Sequence, residues 1–101
     1  MKFVFEVIIK GGHTEEEYVN AWKKGSEIIQ ASPGAQGTIL YKKIDEPNRL
    51  IAIATWASKE ERDLAMEKLR DAGAQIDLHK ESGDTHALGN FEEIARVDSK
   101  I

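Results

Sequence analysis

Two short stretches, HTEEE at residues 13–17 and ASKEE at residues 57–61, constrain this chain more than any others. Each places a hydroxyl residue, Thr14 or Ser58, three positions before a glutamate, Glu17 or Glu61. At that spacing the hydroxyl can accept a free amide of a starting helix while the glutamate reaches back to the cap. The neighbouring acids suit the positive helix terminus. Each stretch also follows an apolar alternation, KFVFEVIIK before the first and RLIAIATWA before the second. A strand leading into a capped helix, twice over, commits the chain to a duplicated strand-helix frame.

The remaining elements are read from the same periodicities. In residues 2–10, Phe3, Phe5, Val7 and Ile9 share one face, with Val4, Glu6, Ile8 and Lys10 on the other. The first helix aligns Tyr18, Ala21, Trp22, Gly25, Ile28 and Ile29 and ends at Ser32, Pro33 and Gly34. GTILYKKIDEPNRLIAIATWA predicts a hairpin, with strands near 37–44 and 49–57 around the turn formers Asp45 to Asn48. On its second strand Leu50, Ala52, Ala54 and Trp56 share a face. The second helix should bury Leu64, Ala65, Leu69 and Ala72 and stop at Gly73, although Ile76 prolongs its stripe towards His79. KESGDTHALGN, residues 80–90, predicts a mobile loop, and FEEIARV, residues 91–97, the last strand.

The resulting order, β-α-β-β-α-β, is a split pair of βαβ units. The expected fold is a ferredoxin-like α+β domain over residues 1–101, with a four-stranded antiparallel sheet carrying both helices on one side. Strands with two apolar faces also need cover on the other side, which predicts a homodimer formed through the sheet face.

Charge and composition remove several partner classes. The formal net charge is −4 and the bases are scattered, so no nucleic acid is expected. An RNA-recognition domain shares this element order, but it needs aromatics and glycines on its central strands, and RLIAIATWA has one aromatic and no glycine. There are no cysteines, and no two histidines have metal-motif spacing, so no metal is expected. Glu6 interrupts the apolar N-terminal run, which reads as a strand and not as a signal peptide, and no stretch approaches the ~18 residues of a membrane span. No membrane association and a cytoplasmic location are the expectations.

Residues 31–65, ASPGAQGTILYKKIDEPNRLIAIATWASKEERDLA, carry a sharper signal. A helix ending in Ser-Pro-Gly, a strand with a central tyrosine, an acidic-Pro turn, an apolar strand ending in Trp-x-Ser and an acidic helix start resemble the antibiotic-biosynthesis monooxygenase family. The resemblance implies a dimeric α/β barrel with a small pocket between sheet and helices in each subunit. It also implies oxygenation of aromatic substrates without metal or flavin in some members, and haem degradation in others. The quinone-forming members pair the strand tryptophan with an asparagine four positions earlier and a tyrosine six later, where this chain has Ala52 and Arg62. The haem-degrading members carry an asparagine and a histidine where Val7 and Met66 stand here. Trp56 alone is retained. Two functions therefore follow from the resemblance: a cofactor-independent monooxygenase acting on a small aromatic molecule, or a dimeric barrel that binds such a molecule without chemistry.

The candidate site residues divide into walls and polar groups. Val7, Trp22, Gly25, Ala52, Ala54 and Trp56 are expected to bound a pocket, with Ala65 and Ala72 adding space, against the alternative that Trp56 is a core anchor and Gly25 a point of close packing. Arg62 and Arg49 are candidates for holding an acidic or phenolate oxygen. His79 and His86 are the candidate bases, on a segment able to fold over the pocket mouth, whereas His13 belongs to a surface turn. Glu6 needs a partner on the outer sheet face, and Arg96 is the expected one.

Overall fold

A computed structural model describes residues 1–101. Its elements are β1 (Lys2–Ile9), α1 (Glu15–Gln30), β2 (Ala35–Lys42), β3 (Arg49–Trp56), α2 (Lys59–Asp71) and β4 (Gly83–Phe91), with one 3-10 turn at Leu78–Glu81. The strands form one sheet in the order β2-β3-β1-β4, with every neighbouring pair antiparallel. This is the ferredoxin-like α+β arrangement. No helix is long and apolar enough to cross a membrane.

Both helices lie on the face of β1 that presents Phe3, Phe5, Val7 and Ile9. Tyr18 of α1 packs with Val7 and Leu50 in a fully buried cluster, flanked by Phe5, Ile9, Trp22 and Leu40. From α2, the Arg62 guanidinium stands 3.6 Å above the Phe3 ring. On β3 the alternation places Leu50, Ala52 and Trp56 in buried positions. Truncating a side chain as enclosed as Trp56 costs about 3–5 kcal/mol.

The helix starts differ in one respect. At Thr14 the reciprocal cap is complete, since its hydroxyl accepts the Glu17 amide and the Glu17 carboxylate accepts the Thr14 amide. At Ser58 only the first half is made: the hydroxyl accepts the Glu61 amide at 3.1 Å. The Glu61 side chain instead occupies the space a β-carbon on Gly34 would fill, so it covers the turn into β2. Ile28, Leu64 and Ala72, expected on buried helix faces, are exposed. The cavity-facing side of α1 turns towards Ser26 and Ile29, and that of α2 towards Arg62, Met66 and Arg70.

Of the hairpin strands, β3 keeps its expected bounds to within one residue and β2 is shifted towards the N-terminus. Strand β2 begins at Ala35, which pairs with Trp56, and ends at Lys42, leaving Ile44 fully exposed. The larger correction concerns the C-terminal third. Gly73, at a φ of 71°, ends α2, so Ile76 belongs to a connector and not to a longer helix. Residues 83–91 are not a mobile loop but β4, paired along the whole of β1. A bulge at Leu88 and Gly89 interrupts this pairing between Val4 and Phe5, with Gly89 at a φ of 115°. FEEIARV is not a strand: beyond Phe91 the chain has no regular structure, and Ile94, Val97 and Ile101 are exposed. The place beside β1 is already filled by β4, so the apolar alternation of this tail has no ladder to join. Arg96 accordingly pairs with Glu93 at 2.6 Å, and Glu6 pairs instead with Arg49 at 3.2 Å.

Two glycines fix how the connector and β4 meet the core. A β-carbon on Gly25 would lie 2.9 Å from the Ile76 carbonyl oxygen, so α1 touches connector backbone directly. A β-carbon on Gly83 would lie 2.6 Å from the Tyr18 ring and 2.7 Å from Val7. Close packing thus offsets the ~1 kcal/mol that a mid-helix glycine costs relative to alanine. Gly83→Ala and Gly25→Ala are expected to destabilise the fold by about 1–3 kcal/mol through overpacking. Gly11→Ala, in open space, should change stability by less than about 0.5 kcal/mol. Denaturant midpoints of the three variants check this ordering.

Candidate functional site

Between the sheet and the helices lies a cavity of about 390 Å³, partly open to solvent. Each inner strand face contributes: Phe3 and Phe5 from β1, Thr38 from β2, Ala54 and Trp56 from β3, Thr85 and Ala87 from β4. The helical side supplies Trp22, Ser26, Ile29 and Gln30 from α1 and Arg62, Met66 and Arg70 from α2. The connector and the turn close it with Ile76, Asp77, His79 and Lys80. The volume lies within the ~300–1,000 Å³ of small-molecule sites, and the mostly apolar wall with a few polar groups has their usual character.

A row of rings runs along the β1 side of this space. The Phe3 and Phe5 ring centres are 6.1 Å apart, Phe5 is 5.8 Å from the His79 ring, and His79 meets Tyr18 edge-on at 5.6 Å. Arg62 over Phe3 marks one end of the row and Tyr18, sealed in the core, the other. Phe3 and Phe5 were legible as an inward face but not as site residues.

His79 is the most informative polar group. The residue is 9% exposed, and Nδ1 lies 2.9 Å from the Tyr18 hydroxyl. That hydroxyl has no other partner and sits on a side chain with no exposure. An unused buried donor costs about 1–3 kcal/mol, so the Tyr18 O–H donates to Nδ1 and the imidazole carries its hydrogen on Nε2. Nε2 makes no hydrogen bond within the protein, yet no side-chain nitrogen or oxygen is both buried and unpartnered. Nε2 is therefore accessible, on a residue that lines the cavity. Burial, reinforced by the Lys80 charge and opposed by Asp77, holds the imidazole pKa below its ordinary 6.5, while burial raises that of Tyr18. Both groups are neutral at pH 7.

The expected site residues fall into two groups. Trp22, Ala54, Trp56, Arg62 and His79 line the cavity. Val7 and Ala52 have no exposure and do not line it, being packed on the same sheet face, and Gly25 is buried against the Ile76 backbone. His86 lies outside it: it pairs with Glu6 across β1 and β4, on the outer sheet face, so it faces away from the cavity. Arg49 stands on that outer face too, bonded to Glu6 and Glu46. His13 caps nothing in the cavity and contacts Glu17 at 2.9 Å. Tyr18, Thr85, Ala87 and Arg70 went unread as site residues. The first carried only a core signal, the next two lay in the supposed loop, and Arg70 resembled a solvated helix base, although the spacing 62, 66, 70 is itself a helical stripe.

No family model matches the chain, and no curated protein matches its sequence. Solved structures do match its fold. A point mutant of SnoaB, a cofactor-independent oxygenase from Streptomyces nogalater, superposes with a TM-score of 0.79 at 15% identity, over 93% of this chain and 93% of that one. A second SnoaB structure gives 0.72 at 14% identity over the same shares, 93% and 93%. A protein from Shewanella loihica, provisionally named a monooxygenase, gives 0.66 at 19% identity over 95% of this chain and 96% of its own. At such identities the likeness carries the architecture and not the reaction.

The Tyr18 to His79 contact gives a pH signature with a definite sign. Unfolded, the imidazole gains a proton near 6.5; folded, it resists until lower pH. Its contribution is therefore intact above 6.5 and is lost as pH falls towards the folded-state value. Wild type should lose more stability between neutral and mildly acid pH than His79→Leu does. Tyr18→Phe should cost about 1–3 kcal/mol by leaving Nδ1 unpaired. Urea unfolding at stepped pH checks both, and equal slopes for wild type and His79→Leu would remove the buried neutral histidine from the account.

Proposed function

We propose that this chain is a member of the antibiotic-biosynthesis monooxygenase family that binds a small, flat aromatic molecule in the cavity and oxidises it with molecular oxygen. The observation that supports this most is the cavity itself, walled by Phe3, Phe5, Trp22 and Trp56 and supplied with polar groups that include a free N–H at His79. Aromatic walls favour a flat ligand by stacking, and an N–H donor beside them orients its oxygen. The shared architecture with a cofactor-independent oxygenase agrees with this reading.

In this reading the His79 N–H hydrogen-bonds the ligand's carbonyl or phenolic oxygen, stabilising the anion formed when a neighbouring C–H gives its proton to water at the open side. The electron-rich anion reacts with oxygen at that carbon, forming a C–O bond. Loss of water from the resulting hydroperoxide turns a CH₂ group into C=O, so one substrate and one O₂ become one quinone-type product and one water. Neutral His79 and Tyr18 suit this role, because a charged imidazole would be costly in the same place.

A second reading, binding without turnover, is favoured by one particular. Ala52, which stands where the quinone-forming relatives carry an asparagine, does not line the cavity and offers no polar group. The family reading also makes the chain a homodimer through its outer sheet face, supported by exposed Ile39, Tyr41 and Phe91.

Oxygen uptake with a hydroxyanthrone separates the two functions. Turnover in wild type should fall about 10²-fold in kcat in His79→Leu. Trp56→Phe should chiefly raise KM. Saturable binding with no uptake would establish the binder instead. Sedimentation giving only the 11.3 kDa monomer at micromolar concentration would exclude the dimer.

A further inference from the structure

The chain has a formal net charge of −4, yet its cavity is lined by Arg62, Arg70 and Lys80 against one acid, Asp77. Lys80 and Asp77 answer each other at 3.4 Å. The two arginines are left. Arg62, whose side chain is 17% exposed, has one ionic neighbour, Asp63, at 3.6 Å, beyond hydrogen-bond length, and its guanidinium carbon stands 3.6 Å over the Phe3 ring. Arg70 stands two helical turns further along the same stripe of α2 with no acid in salt-bridge range. Neither guanidinium donates a hydrogen bond within the protein.

This arrangement is unfavourable as it stands. Burial, partly offset by Asp63, pulls the Arg62 pKa down, and the Arg70 charge acts in the same direction, so the pair repels. Arginine nevertheless keeps its proton, and its planar fork is shaped for a carboxylate. A stacked, partly desolvated guanidinium with unused donors on a cavity wall, beside a second one, is completed by an anion in the cavity.

We infer that the cavity selects aromatic carboxylates, with Arg62 and Arg70 gripping the carboxylate at the α2 end while the rings lie along Phe3 and Phe5. This rests on the proposal that the cavity takes a flat aromatic molecule and adds the ligand's charge class. Arg62 is then a specificity-determining residue, at the position where the quinone-forming relatives carry a tyrosine.

The probes are 2-naphthoate and 2-naphthamide, which share a ring system and differ in charge, titrated by calorimetry at neutral pH. Naphthoate should bind at least about tenfold more tightly than naphthamide, as expected for charge-assisted hydrogen bonds. In Arg62→Gln and Arg70→Gln the gap should narrow, chiefly by weakening naphthoate, and in the double variant it should close. Circular dichroism identifies any variant that has failed to fold, and the wild-type comparison of the two probes stands without variants. Equal affinities in wild type, or a gap that persists in a folded double variant, would overturn the inference while leaving the oxygenation proposal standing on its own assay. If neither probe binds, the aromatic-ligand proposal and this inference fail together.

Discussion

The hydrogen bond between the Tyr18 hydroxyl and His79 Nδ1 joins the two halves of this fold. Tyr18 rises from the first turn of α1 into the core against Val7, and His79 descends from the 3-10 turn just before β4. The bond thus crosses from one βα unit to the segment that closes the other. A buried phenol needs a partner for its proton, and a buried imidazole needs one for its bare nitrogen. Each satisfies the other, which seats the turn ahead of β4 and leaves Nε2 without a protein partner on a residue that lines the cavity. Structural requirement and chemical opportunity here come from one contact.

Around that contact the inner sheet face changes character along its length. At the Val7 and Leu50 end large side chains meet Tyr18 and exclude all space. Towards Ala54, Thr85 and Ala87 the residues shorten, and the volume they leave becomes the cavity. Empty space of this kind is costly in a core, where packing density is high. Its retention between two tryptophans and two phenylalanines is a cost that the proposed ligand would offset. The departures from the family pattern, Ala52 and Arg62, act on opposite sides of this balance. One removes a polar group from the packed part of the face, and the other adds a charge at the wall.

Most of the frame was legible because it depends on local rules. The alternation in β1 and the reciprocal cap at Thr14 each specify their element without help from the rest of the chain. What escaped depends on contacts distant in sequence. GDTHALGNF looks like a loop because an edge strand with small inward residues has no apolar stripe, and its glycines answer to Tyr18 and to a bulge. FEEIARV looks like a strand because alternation does not reveal that the neighbouring ladder is taken. Within the site, Trp22, Ala54 and Trp56 could be placed on the inner face from helix and strand phase, whereas Arg62 was a candidate by its chemistry and its nearness to Trp56. Val7 and Ala52 share that phase but lie on the stretch of the face that is packed solid, which phase cannot distinguish. Tyr18 was read as core, and nothing local could say that His79 would meet it.

The central claim is that Tyr18 fixes the hydrogen of His79 on Nε2. Long-range proton-nitrogen NMR of the imidazole at pH 7 tests it directly, since a bare and a protonated ring nitrogen resonate far apart. Wild type should show a bare Nδ1 and a protonated Nε2. A protonated Nδ1 with a bare Nε2, or a ring protonated on both nitrogens, would contradict it.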